Sequence, residues 1–349
     1  TPASDILHTL SAWKHLGIKT FQAEDEIAGI TSVLGAAFTG DLGITATSGP
    51  GIALKGEAMG LAVMAELPIV IINVQRGGPS TGLPTKTEQS DLMQAMYGRN
   101  GEAPVPVLAS ATPGDCFFAA YEACRIAVKY MTPVVLLTDG YLANGSEPWQ
   151  VPKVDDLPDF DVSFADESNL ADGQFLSYSR DKKTLARPWA IPGTPGLEHR
   201  IGGIETEDLT GNVSYDPDNH HYMVETRAKK VDAIANEIAS SEIFGSKSGD
   251  LLILSWGGTK GACRSATEAL KADGKKVGHL HLRWINPFPK DLGEKLIKFK
   301  NILIPEINYG QLIKLIRAEF LVDAQGLNQV RGKPISSADI QEASNKLIG

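Results

Sequence analysis

Cysteine is scarce in this chain. Cys116, Cys124 and Cys263 leave an odd thiol and form no Cys-x-x-Cys. That excludes a disulfide scaffold and argues against a cysteine-ligated zinc or iron–sulfur site built by this chain alone. A reducing, cytoplasmic setting fits such usage best. Long apolar runs are also missing: the longest, residues 67–74, is strand-sized and far short of the ~18 residues of a membrane helix. Positive charge is in deficit, with 33 Lys and Arg against 42 Asp and Glu, a net charge of −9. The basic footprint of a nucleic-acid binder is therefore absent. There is no internal repeat, coiled coil or low-complexity segment. The N-terminus, Thr1-Pro2-Ala3-Ser4-Asp5, has no initiator Met and no signal-like core, and reads as a chain that has been cut.

What is present is a turn-rich globular chain of 349 residues, with 35 glycines and 20 prolines, long enough for two domains plus connections. Its patterning predicts a helix over 6–15, a strand over 18–23, a helix over 25–38 and a strand over 43–47. After a Ser48-Gly49-Pro50-Gly51 turn come a helix over 52–66 and a buried strand over 69–74. Further elements are a strand over 105–110, a helix over 113–130 and a strand over 133–138. Strands alternating with helices imply parallel βαβ units, with the ligand site at the carboxyl ends of the strands. Residues 24–26, 48–51, 75–86 and 139–140 fall there. From 147 to 235 the chain turns polar and Pro- and Trp-punctuated, and reads as an irregular connection packed on the surface without a core of its own. Regular patterning returns with a strand over 251–256, a helix over 260–272, a strand over 276–282, a helix over 290–298, a strand over 301–304 and a final amphipathic helix over 312–319. The expected division is 1–150, 151–245 and 246–349, an α/β fold with a parallel sheet followed by a connection and a smaller α/β domain.

Three groups of residues could carry chemistry. Gly49-Pro50-Gly51 lacks the Gly-Lys-Ser/Thr ending of a phosphate loop and has the wrong spacing for a dinucleotide fingerprint, so it reads as a turn that lets a helix start approach a ligand. Asp25-Glu26 opens a helix behind a strand. The pair is either solvated and favoured by the helix dipole, or holds a desolvated carboxyl at the sheet edge that can share a proton with a ligand nitrogen. The string Gln75-Arg76-Gly77-Gly78-Pro79-Ser80-Thr81-Gly82-Leu83-Pro84-Thr85-Lys86-Thr87 combines two cations, four hydroxyls, three glycines and two prolines. It is either a plain surface loop or an anion site in which Arg76 grips a carboxylate bidentately and Lys86 adds a compact charge. The seven histidines, His279 and His281 on one strand face among them, have no third ligand at a recognisable spacing, so packing or surface roles are expected and no metal set is read. Cys116 and Cys124 share a helix and read as small apolar residues.

The strings "TPASDIL", "QAEDEIAGI", "TATSGPGIALKGEAMGLAVMAELPIVIINVQRGGPSTGLPTKTEQSDL", "YMTPVVLLTDGYLANGSEPW" and "PEINYGQL" together resemble the α subunit of 2-oxoacid:ferredoxin oxidoreductases, and within them the 2-oxoglutarate type. The likeness is weakest over about 155–245. It implies a thiamine-diphosphate-binding fold: a pyrimidine-binding module over 1–150 and a transketolase C-terminal-like domain over 246–349. Thiamine diphosphate would be shared with a β subunit that holds its diphosphate, Mg²⁺ and an iron–sulfur cluster; this chain has no Gly-Asp-Gly motif and too few cysteines for those. Within the resemblance Glu26 matches the glutamate that hydrogen-bonds the aminopyrimidine ring nitrogen. Ser48, Gly49 and Pro50 line the cofactor. Arg76 and Thr1 match the substrate contacts, with Ser80 and Thr81 beside them and Thr85 and Lys86 as the extra contacts of the 2-oxoglutarate type. The implied reaction is oxidative decarboxylation of 2-oxoglutarate to succinyl-CoA, with CoA as acyl acceptor and ferredoxin as electron acceptor, in an α dimer within a heterotetramer. The alternatives are another 2-oxoacid (pyruvate or branched-chain), an NAD-linked dehydrogenase subunit or transketolase relative, and a non-catalytic α-like assembly partner. Because "TP" stands inside a family motif, the chain reads as shortened at its N-terminus.

Overall fold

The computed structural model describes residues 2–160 and 162–349. Thr1 lies outside the described residues. Helix α1 (Ser4–Ala12) is followed by α2 (Glu26–Phe38), β1 (Gly43–Thr47), α3 (Gly49–Leu54), α4 (Gly56–Ala65), β2 (Ile69–Gln75), α5 (Leu92–Tyr97), β3 (Val107–Ala109), α6 (Asp115–Tyr130), β4 (Val134–Asp139) and α7 (Gly140–Ala143). A two-stranded hairpin, β5 (Leu170–Ala171) and β6 (Gln174–Phe175), precedes α8 (Pro217–Ala233). Then come β7 (Ile243–Gly245), β8 (Gly249–Trp256), α9 (Lys260–Ala272), β9 (Val277–Leu282), β10 (Trp284–Asn286), α10 (Leu292–Leu296), β11 (Phe299–Glu306), α11 (Gln311–Phe320), β12 (Ala324–Asn328) and α12 (Ser337–Ile348).

Two five-stranded sheets result, in the orders β1-β2-β4-β3-β10 and β12-β11-β8-β9-β7. Both are parallel except for one antiparallel edge strand each, β10 and β7. All six residues of β4, and all of β2 but one, are buried, as both-face coverage by helices requires. The first sheet is completed from the far end of the chain: β10 pairs Trp284 with Leu108 and Asn286 with Val107. One apolar cluster runs through both sheets, from Ile30, Leu92 and Val107 to Trp256, Leu280 and Leu312.

Several expectations are corrected. Residues 18–23 form no strand; Phe21 is 69% exposed, so nothing apolar holds this stretch against the open edge of β1. The helix expected over 52–66 is two helices that break at Lys55. The stretch 147–235 holds α8, a 17-residue helix, and a small apolar cluster of Ala165, Phe175, Ala190 and Leu197. Its helical period was hidden because the buried face of α8 is Met223, Thr226, Arg227, Lys230 and Val231, mostly polar. The helix at 312–319 is not the last, since β12 and α12 follow it. Leu312 and Ile316 are buried there and Ile313 and Phe320 pack on the same core, as the amphipathic pattern predicts.

The buried polar face of α8 meets Glu66, the left-handed cap of α4 (φ 49°) at the amino end of the first sheet. Arg180 grips both Glu66 oxygens, at 2.5 and 2.6 Å, and Lys230 bonds the same carboxylate. Arg187, also buried, donates to the Ala65 carbonyl at 3.0 Å. One carboxylate thus pairs with two buried cations, Arg180 and Lys230, and with the Arg187–Ala65 bond fastens the connecting region to the first sheet. Among the described residues no helix is long and apolar enough to cross a membrane, and no group of three His, Cys, Asp or Glu is set to hold a metal ion. His279 and His281 both share hydrogen bonds with Ser255 Oγ, at 2.7 and 2.8 Å, a packing arrangement. Burial lowers His279 to about 4.

Candidate active site

The carboxyl ends of β1, β2 and β4 converge on one edge. Asp25 is the N-cap of α2, its carboxylate accepting from Ala28 N at 2.8 Å, the ordinary role of an acidic cap. Glu26 is then the first helical residue. It is half-buried and faces the start of α3. Gly51 explains that approach: a Cβ there would stand 2.9 Å from Glu26 Cγ and would clash with the Thr47 hydroxyl. The glycine therefore leaves room for the carboxylate and for a ligand lying across it. Ser48 caps α3 by position, yet its hydroxyl makes no capping bond, and Pro50 sits in the first turn. Glu26 and the Ser48–Pro50 turn are thus brought together.

Arg76 leaves the end of β2 beside them. It is half-buried, and its Nε is buried without a hydrogen-bond partner. An unpaired buried donor on a cation is costly unless a ligand satisfies it. The loop that follows closes on itself. Gly77 N donates to Lys86 O at 2.9 Å, Leu83 N to Gly77 O at 2.8 Å, and Lys86 N to Leu83 O at 3.0 Å. Gly82 permits this with φ +49° where a Cβ would lie 2.8 Å from Gly78 Cα. Arg76 and Lys86, ten positions apart in sequence, therefore leave nearly adjacent backbone positions. Arg76 turns inward. Lys86 turns out, exposed, with its stem passing over Gly332. Ser80 and Thr81 lie exposed at the tip and Thr85 exposed on the return.

Of the residues that hold this edge together, sequence reasoning placed Asp139 at the strand ends and passed over the others. Asp91 is buried, accepts from Asn73 Nδ2 at 2.9 Å, and lies against Gly49. Burial raises its pKa, with the Asn73 bond opposing. Asp139, fully buried at the end of β4, accepts from Thr87 Oγ1 and Tyr141 N at 2.9 Å and from Gly258 N at 2.9 Å. Burial pushes its carboxyl up despite those bonds. Gln89 joins the two most distinctive strings of the sequence. Its Nε2 donates to Trp256 O at 2.8 Å, and its main-chain O accepts from Asn308 Nδ2 at 2.8 Å. Gln311 Nε2 donates to Ser90 O at 2.6 Å. Buried Glu306 accepts from Leu312 N, Trp256 Nε1 and Asn308 Nδ2 at 2.8–3.2 Å and so caps α11. The "PEINYGQL" element is thus the anchor for the base of the 75–89 loop. The signal available in sequence was a run of amides with no apolar period, which composition alone assigns to a surface.

The residues present suit the aminopyrimidine half of thiamine diphosphate: a carboxylate over a glycine cradle, a free hydroxyl at Ser48 and an unsatisfied cation. A family model described as pyruvate flavodoxin/ferredoxin oxidoreductase, thiamine diphosphate-binding, matches residues 1–215, and one described as pyruvate:ferredoxin oxidoreductase core domain II matches residues 249–340. The chain is 54% identical to the 2-oxoglutarate oxidoreductase subunit KorA of Mycobacterium tuberculosis, over 95% of this chain and 50% of that protein. It is 33% identical to the 2-oxoglutarate synthase subunit KorA of Archaeoglobus fulgidus, over 90% of this chain and 82% of the relative. Its fold matches a solved 2-oxoglutarate:ferredoxin oxidoreductase from Magnetococcus marinus, which has 2-oxoglutarate, coenzyme A and succinyl-CoA bound, with a TM-score of 0.91 and 35% identity, covering 97% of this chain and 59% of that one. The chain thus spans about half the length of the Mycobacterium relative. On these grounds it belongs to the pyruvate flavodoxin/ferredoxin oxidoreductase family, with a thiamine diphosphate-binding domain of that family's type at its N-terminal side.

Proposed function

We propose that this chain is the α subunit of a 2-oxoglutarate:ferredoxin oxidoreductase, which decarboxylates 2-oxoglutarate oxidatively to succinyl-CoA together with a β subunit. The observation that carries the reading is the set of Glu26, the Gly51 cradle and the half-buried Arg76 at one sheet edge. When bound, thiamine diphosphate supplies the electron sink for loss of CO₂. Glu26 holds and returns a proton at the pyrimidine ring nitrogen. Ser48 and the Gly49-Pro50 turn position that ring. Arg76 binds the carboxylate next to the 2-oxo carbon, with Ser80 and Thr81 at its rim, and Thr1 is a further substrate contact. Thr85 and Lys86 take the distal carboxylate. The β subunit brings the diphosphate, Mg²⁺ and the iron–sulfur cluster that passes electrons to ferredoxin. The assembly is a heterotetramer built on an α dimer in the cytoplasm, and the units 1–150, 151–245 and 246–349 serve as cofactor module, connection and second domain.

The test is reconstitution with the β subunit and an assay of ferredoxin reduction over a panel of 2-oxoacids. Highest kcat/KM with 2-oxoglutarate is expected; preference for pyruvate or a branched-chain acid would reassign the substrate. The chain by itself is expected to bind thiamine diphosphate weakly and to turn nothing over, which calorimetry and a CO₂-release assay would check. Enzyme-like rates from the chain alone would refute the need for a partner.

Lys86 gives a sharper test of the substrate. Its ammonium is solvated in this chain, and covering it with a dicarboxylate makes a pair whose disruption costs about 2–5 kcal/mol. Lys86→Met is therefore expected to cut kcat/KM for 2-oxoglutarate by on the order of 10²-fold. Activity on 2-oxobutyrate should hardly change. Equal loss on both acids would indicate a damaged loop, and no loss on either would remove Lys86 from the site.

A further inference from the structure

Lys55 stands at the break between α3 and α4, where it ends one helix and begins the next. It is 2% exposed, among the largest fully buried side chains of the protein. Its ammonium donates to the main-chain carbonyl of Glu26 at 2.8 Å. No carboxylate lies within ion-pair distance of it among the described residues: the salt bridges there do not include Lys55. Gly29, one turn into α2, lies beside the ammonium, where a Cβ would make ordinary contact with Nζ at 3.6 Å. Buried lysines are rare unless paired, and an apolar side chain of similar volume is often no less stable than a buried charge. A charge placed at such a cost behind a carboxylate calls for a use.

We propose that Lys55 is the positioning residue of Glu26: it pins the first turn of α2 through the Glu26 carbonyl and keeps a buried positive charge behind the Glu26 carboxyl. The proposal rests on the reading of Glu26 given above. The charges felt at Lys55 are those of Glu26 and, behind it, Asp25; burial lowers the lysine's pKa and both carboxylates oppose that. The sign follows. A positive charge behind a carboxyl favours the anion left when its proton passes to a hydrogen-bonded ring nitrogen.

The experiment compares Lys55→Met, Lys55→Arg and Glu26→Gln in the assembled complex with thiamine diphosphate. Three quantities are read: cofactor Kd, Tm, and the rate at which the cofactor's thiazolium C2 proton exchanges with D₂O in the absence of substrate. For Lys55→Met the expected result is an exchange rate lower by at least about tenfold, the effect of one unit in proton affinity. The Kd should change little, and Tm should not fall. Lys55→Arg, which keeps the charge, should recover most of the exchange rate. Exchange in Lys55→Met within about twofold of the unaltered protein, well under that one-unit effect, overturns the proposal, and so does equal loss in the Arg variant. A merely structural lysine would show a lower Tm with exchange unchanged. If the Met variant does not assemble, Lys55→Gln, a donor without charge, takes its place and the same rate decides. Glu26→Gln separates the two levels: if it retains exchange, the reading of Glu26 itself fails; if it loses exchange while Lys55→Met does not, only the role of Lys55 fails.

Discussion

Glu26→Gln in the assembled complex is expected to lower turnover by roughly 10²–10⁴-fold, the usual weight of a positioned acid–base group, with the fold unchanged. The amide matches the carboxylate in size, so the Gly51 cradle is still filled. The start of α2 does not depend on the Glu26 side chain, because Asp25 supplies the cap and Lys55 bonds the main-chain oxygen. What is lost is the capacity to take and return a proton at the ring nitrogen. Steady-state kinetics together with a melting curve would check this. A variant with unchanged Tm and activity within about threefold of wild type, far short of that range, would move the catalytic carboxylate elsewhere, Glu24 and Asp25 being the neighbours to examine.

Glu66→Gln acts at the opposite edge of the sheet and on stability. Glu66 is fully buried. Burial alone would raise its pKa, but Lys230 and Arg180 overcome this and hold it down at about 2. Burial lowers Lys230 to about 8, with Arg180 and Arg187 pushing the same way and Glu66 opposing. Removing the one carboxylate leaves buried Arg180 and Lys230 without their ion-pair partner, at a cost of about 3–5 kcal/mol. Chemical unfolding near neutral pH would read this, and a loss under about 1 kcal/mol, the scale of a surface pair, would show that water reaches the cluster. The pH dependence has a definite sign. The folded-state pKa of Glu66 is depressed, so its contribution is present above its unfolded value and disappears as pH falls toward about 2. In the variant, Lys230 loses its proton at lower pH than before. The unfolded chain then binds more protons than the folded one, and stability rises with pH from a lower starting point than in the unaltered protein.

The sheet strands and the candidate site were largely legible in the sequence. Residues 69–74 and 133–138 are near-continuous β-branched and apolar runs, and only strands buried on both faces look like that. Ser48, Gly49, Pro50 and Arg76 stood out because unusual residues directly followed strands, where ligands bind in parallel α/β sheets; Glu26 was reached through a strand over 18–23 that does not form. α8 was missed because it packs through charges: Arg227 and Lys230 are buried, so the helix has no apolar stripe for periodicity to find. Residues 18–23 were overread for the converse reason, since an alternating pattern signals a strand only if a neighbouring edge accepts it.

By itself the sequence determined local geometry and chemical type: which apolar runs are buried strands, which turn must be glycine, which residues can hold a proton or an anion. These depend on neighbours within a few positions, and each such signal is written in consecutive residues. Only the tertiary structure decided that β10 would complete the first sheet, that Gln89 would be held by Asn308 and Trp256, that Arg76 and Lys86 would leave adjacent points of a closed loop, and that Lys55 would lie buried behind Glu26. Each of these is a polar contact or pairing between residues far apart in the chain or across a folded loop. Its energy depends on burial and on the partner's placement, and neither exists until the chain has packed.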